Sequence, residues 1–207
     1  MAAATTDAAG VCNLALQRIG CTDTLDDLEE NTLEARACKV SYAAARDALL
    51  EMFDWRFARR RAALAQVVDS AGDAVAFSGW VYGYVLPVDC IKPRGLYPLE
   101  SKLPFTLELA DDASGNPTVQ ALLTNVEDAE LFYTAQITTV ALWSPLFVQA
   151  LSWLIAIDLC SALPKKLEWA PQVKAGFAAA FATAGSRNHG AEQQSRPPES
   201  EFITGRE

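Results

Sequence analysis

Histidine is almost missing from this chain: 207 residues contain one, His189, in a polar stretch near the end. A serine, threonine or cysteine nucleophile needs a base to activate it, most often histidine, so the usual triads have no obvious member here. No CxxC pair occurs, and the cysteines at 12, 21, 38, 90 and 160 are scattered and odd in number. A structural zinc site would need several Cys or His ligands closely spaced, so no metal ligand is assigned. The cysteines read instead as small apolar core residues of a reducing cytoplasm. No GxxxxGK[ST] or GxGxxG loop is present, so no phosphate cradle or cofactor site is assigned, and no cofactor is expected. The opening MAAATTDAAG has neither the basic nor the apolar region of a signal peptide.

Positive charge is also short. Lys and Arg total 17 against 26 Asp and Glu, a formal charge of −9. Affinity for phosphates comes mainly from clustered Lys and Arg, so such a chain is a poor general nucleic-acid binder, although DNA could pass close by without being gripped. What is present is apolar material, 51% of residues against 21% charged, enough for a real core. The most apolar segment, 145–163, has spanning length but carries Asp158. A carboxylate is costly at hydrocarbon depth, so a buried helix and no membrane contact are expected.

Periodicity predicts a helix over 7–19, capped by Thr6 or Asp7 and stopped at Gly20. An acid-rich link follows, with Asp26, Asp27, Glu29 and Glu30 as its densest part. Consecutive acids in a loop usually form a solvated face, and a carboxylate pair for glycoside chemistry is the competing reading. A longer helix to about 52 begins at a capping box of Asn31 and Glu34. Leu33, Ala37, Val40, Ala44 and Ala48 form one stripe on it, with Cys38, Tyr42, Ala45 and Leu49 beside it. The only dense basic run comes next, Arg56, Arg59, Arg60 and Arg61 within WRFARRR. Guanidinium groups pair with phosphate or carboxylate, so contact with DNA or with an acidic neighbour is one reading. A helix end, with the arginines offsetting the dipole while Trp55 and Phe57 enter the core, is the other. A structural role is favoured, within the chain or across a subunit interface.

From Ala74 the pattern turns to strands: 80–87, 104–110 alternating, a turn over 111–116, a returning strand 118–124, and 129–135. Helix resumes at Ser144–Pro145 and ends near Leu163, and a last helix runs from 169–171 to Gly185. The remainder, 186–207, has few apolar residues and reads as an extended polar tail. The expected fold is therefore mainly α: a helical bundle built from 1–70 and 141–185, a small antiparallel β-sheet domain inserted over 71–140, and the tail.

Taken in order, CNLALQRIG at 12–20, SYAAARDALLEMFDWRFARRRAAL at 41–64, WVYGYVLPVDCIKP at 80–93, LLTNVEDAELFYTAQI at 122–137 and SPLFVQALSWLIAIDLCSAL at 144–163 resemble the head–tail adaptor (connector) proteins of short-tailed bacteriophages, the tail tubular protein A family. The resemblance covers about residues 8–185. It implies a structural protein and not an enzyme: a twelve-fold homo-oligomeric ring under the portal protein, meeting tail or nozzle proteins below. Genomic DNA would pass through without specific binding. It implies a place at the head–tail junction of the virion after synthesis in the host cytoplasm. The tail would reach the portal, with Arg187, Arg196, Pro197, Pro198, Phe202 and Ile203 as contacts, and Arg56, Arg59, Arg60 and Arg61 would lie at the subunit interface. Two other classes compete: a peptidoglycan-degrading virion protein relying on carboxylates, and a DNA-binding accessory protein relying on the arginine run.

Overall fold

The computed structural model of the chain describes residues 7–69, 72–111, 117–164 and 166–190. The chain divides into two compact units, Met1–Ala45 with Thr139–Glu207, and Arg46–Thr138.

The first unit is helical. Asp7 caps α1 (Ala8–Arg18), its Oδ1 accepting from the Gly10 amide at 2.8 Å, and Val11, Cys12, Ala15 and Leu16 are buried. The chain turns at Gly20, whose φ of 67° falls in the left-handed region open to glycine. Asn13 pins the acidic link by accepting from the Leu25 amide and donating to its carbonyl, both at 2.8 Å. At the head of α2 (Leu33–Met52) the cap is Thr32, whose Oγ1 accepts from the Ala35 amide at 3.1 Å, one residue later than the expected Asn31. Ser144 caps α3 (Pro145–Ala162), accepting from the Phe147 amide at 3.2 Å, with proline in the first turn where a missing N–H costs nothing. Among the described residues α3 is the one helix long and apolar enough to cross a membrane by length and composition. Here Phe147, Leu151, Ile155 and Leu159 are buried, and α3 packs against α1 and α4 (Ala170–Gly190). Gly176 lets α4 approach closely, since a Cβ there would lie 2.7 Å from the Trp153 ring. All five cysteines are free, and the buried Cys12 thiol is held protonated by its contact with Cys38 and by burial.

The second unit holds the last turns of α2 and two antiparallel sheets. One has the order β1–β7–β4, from β1 (Arg59–Ala63), β4 (Cys90–Leu96) and β7 (Glu130–Ala135). The other has the order β2–β3–β6–β5, from β2 (Ala65–Gln66), β3 (Tyr82–Val85), β5 (Phe105–Asp111) and β6 (Pro117–Thr124). Tyr84 and Leu122 of one sheet meet Leu96, Leu131 and Tyr133 of the other in a shared core. Each buried leucine contributes about 1.5–3 kcal/mol to folding. The opposite face of the four-stranded sheet, at Ala110, Ala121 and Leu123, is covered by Val75, Phe77 and Trp80. Gly83 makes room for that cover, because a Cβ there would fall inside the Phe77 ring.

The expectation of a mainly α helical bundle with a small inserted sheet is overturned. The fold is mixed α/β, 46% helical and 23% strand, with four α-helices among the described residues and two antiparallel sheets. The strands begin at Arg59, inside the segment read as helical. Arg59–Arg60–Arg61 carries no apolar alternation because β1 is a sheet edge with its side chains half-buried or exposed. β4 was hidden by Pro93, which an edge strand tolerates, and by two register shifts around it. At the other end α4 continues through 186–190, so that part of the expected tail is helical. The turn residues 112–116, the segment 191–207 and with it Arg196, Pro197, Pro198, Phe202 and Ile203 lie outside the described residues.

Candidate functional site

The arginine run sits where α2 gives way to the sheets. Beyond Met52 the chain dives inward at Trp55, which is buried and donates from Nε1 to the Leu49 carbonyl at 2.7 Å. Arg56 opens a short helical turn (Arg56–Ala58) with its side chain exposed. Arg59 pairs with Asp54 at 2.9 Å, Arg60 with Asp89 at 2.6 Å, and Arg61 with Glu130 while lying 3.6 Å over the Tyr97 ring. Asp89 is shared: its other oxygen accepts from the Tyr133 hydroxyl at 3.0 Å. Burial, followed by that hydrogen bond to Asp89, pushes Tyr133 up to about 12, and burial lifts the neighbouring Cys90 thiol to about 11. The hydrogen bond to Asp89 raises Arg60 above its ordinary value. The run therefore ties β1 to its surroundings, one carboxylate to each strand arginine.

The helix-end cation exists but is another residue. Arg94 of β4 donates from Nη2 to the carbonyls of Glu51 at 3.1 Å and Phe53 at 2.9 Å, and from Nε to the buried Thr134 hydroxyl at 2.8 Å. The Glu51 carbonyl is among those that a helix leaves unpaired at its C-terminus, where a cation also offsets the dipole, and the Phe53 carbonyl just past the helix accepts from the Trp55 amide at 3.1 Å as well. Burial lowers the Arg94 pKa, yet the guanidinium stays charged at neutral pH. Nothing in the local pattern of IKPRGL marked it, since its partners lie about forty residues away in the chain.

The acidic link is folded onto itself. Glu30 accepts from the amides of Asp26 at 2.6 Å and Asp27 at 2.9 Å, Asp27 accepts from the Glu29 amide at 3.1 Å, and Glu29 pairs with Lys39. With the start of α1 this link lines a cavity of about 390 Å³ at Asp7, Ala8, Ala9, Asp26, Asp27, Leu28 and Glu29. The carboxylates of Asp27 and Glu30 hold the turn, and that of Glu29 holds an ion pair. Among the described residues no group of three or more His, Cys, Asp or Glu is placed to hold a metal ion.

The helix surfaces carry the remaining signal. On α2, Cys38, Tyr42, Ala45 and Leu49 are buried, whereas Leu33, Val40, Ala44 and Ala48 are exposed, Val40 at 81%. On α4 only Val173 and Ala184 are buried among the residues whose burial is described. Phe177 and Phe181 stack at 5.7 Å and are half-buried, while Ala175, Ala178, Ala179 and Ala182 face outward. Arg187 is exposed near the end of the same helix.

No protein-family model matches the chain, and no curated protein matches it.

Proposed function

We propose that the chain is a structural subunit of the ring joining the portal to the tail of a tailed bacteriophage, with the genome passing through and no chemistry performed. The observation that carries this reading is the second apolar stripe of α2. One stripe satisfies the chain's own core, and the other, at Leu33, Val40, Ala44 and Ala48, is left on the surface. A subunit set between two neighbours in a closed ring needs apolar surface beyond its own core, and small residues allow helices to approach closely. The ordered resemblance of sequence blocks to head–tail adaptors supplies the identity of the ring. A formal charge of −9 suits a conduit, because like charge discourages adhesion of a sliding phosphate backbone.

Sedimentation of the purified chain with and without portal rings tests it. The wild type should co-sediment with portals as a complete ring, and Val40→Asp, at an exposed position, should fold yet fail to complete it. A Val40→Asp ring as complete as the wild type, or a wild type that ignores portals, would overturn the reading. Contact with the portal is assigned to Arg187 and to Arg196, Pro197, Pro198, Phe202 and Ile203. Because α4 runs to Gly190, a cut after that residue spares the helix. The shortened chain, which keeps Arg187, should keep its fold and lose most of its portal binding; undiminished binding would refute the assignment of the five contacts beyond Gly190.

A further inference from the structure

The sheet edges are not equally protected. β1 presents arginines, β4 carries Lys92, Pro93 and two register shifts, and β2 is two residues long. Those are the devices by which proteins stop sheets from adding strands. β5 has one charge within its regular stretch, Glu108, and no proline or register shift between Phe105 and Ala110. It pairs with β6 in unbroken register from Phe105 to Ala110, and among the described residues nothing pairs with its outer side. It also exposes Leu107 at 44% and Leu109 at 69%, while Phe105 on the same face is half-buried. An edge with open amides and carbonyls and an apolar face is a template for another strand.

We propose that the occupant is β5 of a second copy, the two strands joining antiparallel about a two-fold axis at Leu107. The sequence of β5, FTLELAD, is self-complementary in that register. Leu107 meets Leu107 of the second copy, Phe105 meets Leu109, and Thr106 meets Glu108, so each cross-strand pair is apolar with apolar or hydroxyl with carboxylate. One residue along, Glu108 would face Glu108, a like-charge pair that is destabilising directly across strands. Centred on Leu109, the pairing would leave Phe105 out and set Leu107 against Asp111. A two-fold contact of this kind closes on itself at a dimer. The dimer is a property of the free chain and does not depend on the ring reading, which concerns α2 and the portal.

Sedimentation equilibrium of the full chain over a concentration series, without portal, tests the pairing. The mean mass should rise with concentration from 22.4 kDa towards twice that value. Leu107→Lys and Leu107→Glu should each hold at the monomer mass, with apparent Kd raised at least tenfold, because each sets like charges together on the axis. An equimolar mixture of the two should regain the dimer. Val40→Asp should leave the dimer intact. Circular dichroism checks that the variants fold; should a Leu107 variant not fold, Leu109→Lys, at a more exposed position, decides by the same loss of mass. A wild type that stays monomeric, a dimer untouched by Leu107→Lys or Leu109→Lys, or two folded Leu107 variants whose mixture stays monomeric would each overturn the proposal.

Discussion

Arg94 is the side chain whose removal should tell most about how the second unit is held. Its guanidinium bridges the end of α2, through the carbonyls of Glu51 and Phe53, and β7, through the buried Thr134 hydroxyl. Hydrogen bonds from a charged donor contribute about 1.5–3 kcal/mol each, and a buried acceptor left without its donor adds a desolvation cost. Glu51 is exposed, so water replaces the guanidinium there at little loss. The remaining two bonds, one of them to a fully buried hydroxyl, set the cost of Arg94→Met at about 2–4 kcal/mol. Arg94→Lys should fall between, because one ammonium keeps the charge at the helix end but lacks the fork that reaches both partners. The assay is urea unfolding followed by tryptophan fluorescence, Trp55 lying next to the α2 terminus. Thr134→Val completes a double-mutant cycle, in which a coupling of about 1 kcal/mol is expected for residues in direct contact. A loss below about 0.5 kcal/mol for Arg94→Met, or a lysine variant as stable as the wild type, would refute the bridge.

Two further perturbations test the sheets. Tyr133 is held neutral up to about pH 12, against an ordinary value of 10, so its contribution is complete below pH 10 and is lost as pH rises towards 12. The two-unit difference corresponds to roughly 2–3 kcal/mol, and Tyr133→Phe should flatten the fall in urea midpoint across that window; a parallel fall in wild type and variant would count against it. Gly83→Ala should cost about 1–3 kcal/mol through overpacking against the Phe77 ring, and much less in a Phe77→Ala background. Equal costs in both backgrounds would show that Phe77 is not the obstacle.

Features written in local pattern were legible in the sequence. Ser144–Pro145 at a helix start, the helix at 7–19, and the alternation of β5 followed by β6 all depend on neighbours within a few residues. Features written in long-range pairing were not. β1 has no alternating pattern, because it lies at a sheet edge and its conformation is set by pairing with β7, about seventy residues further along the chain. β4 contains a proline that argues against a strand unless the strand is known to be an edge. Cap position was legible only to within a residue: Asn31, Thr32 and Glu34 are all capping types, and the backbone selects Thr32. In the candidate interface, periodicity located both stripes of α2 but not which one faces outward. That choice is made by the packing of the rest of the unit, and it leaves Val40 rather than Tyr42 exposed.

The pairing of the arginine run bears most directly on DNA. Exposed ion pairs are worth about 0–1 kcal/mol each, so the bonds of Arg60 and Arg61 to Asp89 and Glu130 add little stability, and the half-buried pair of Arg59 with Asp54 is the firmer one. Their effect is on the field. Each guanidinium has a carboxylate at hydrogen-bonding distance, and a phosphate a Debye length away, about 8–10 Å, meets charges that cancel. Binding a phosphate would release a carboxylate that then repels the neighbouring phosphates, within a chain already at −9. Few counterions would be displaced, and the logarithm of affinity should change little with the logarithm of salt, instead of falling by nearly one unit per phosphate gripped. Fluorescence anisotropy with labelled duplex from 50 to 200 mM salt measures that slope. A steep slope that Arg60→Gln and Arg61→Gln reduce stepwise would mean that the arginines leave their carboxylates for DNA, and the conduit reading would then have to include a grip.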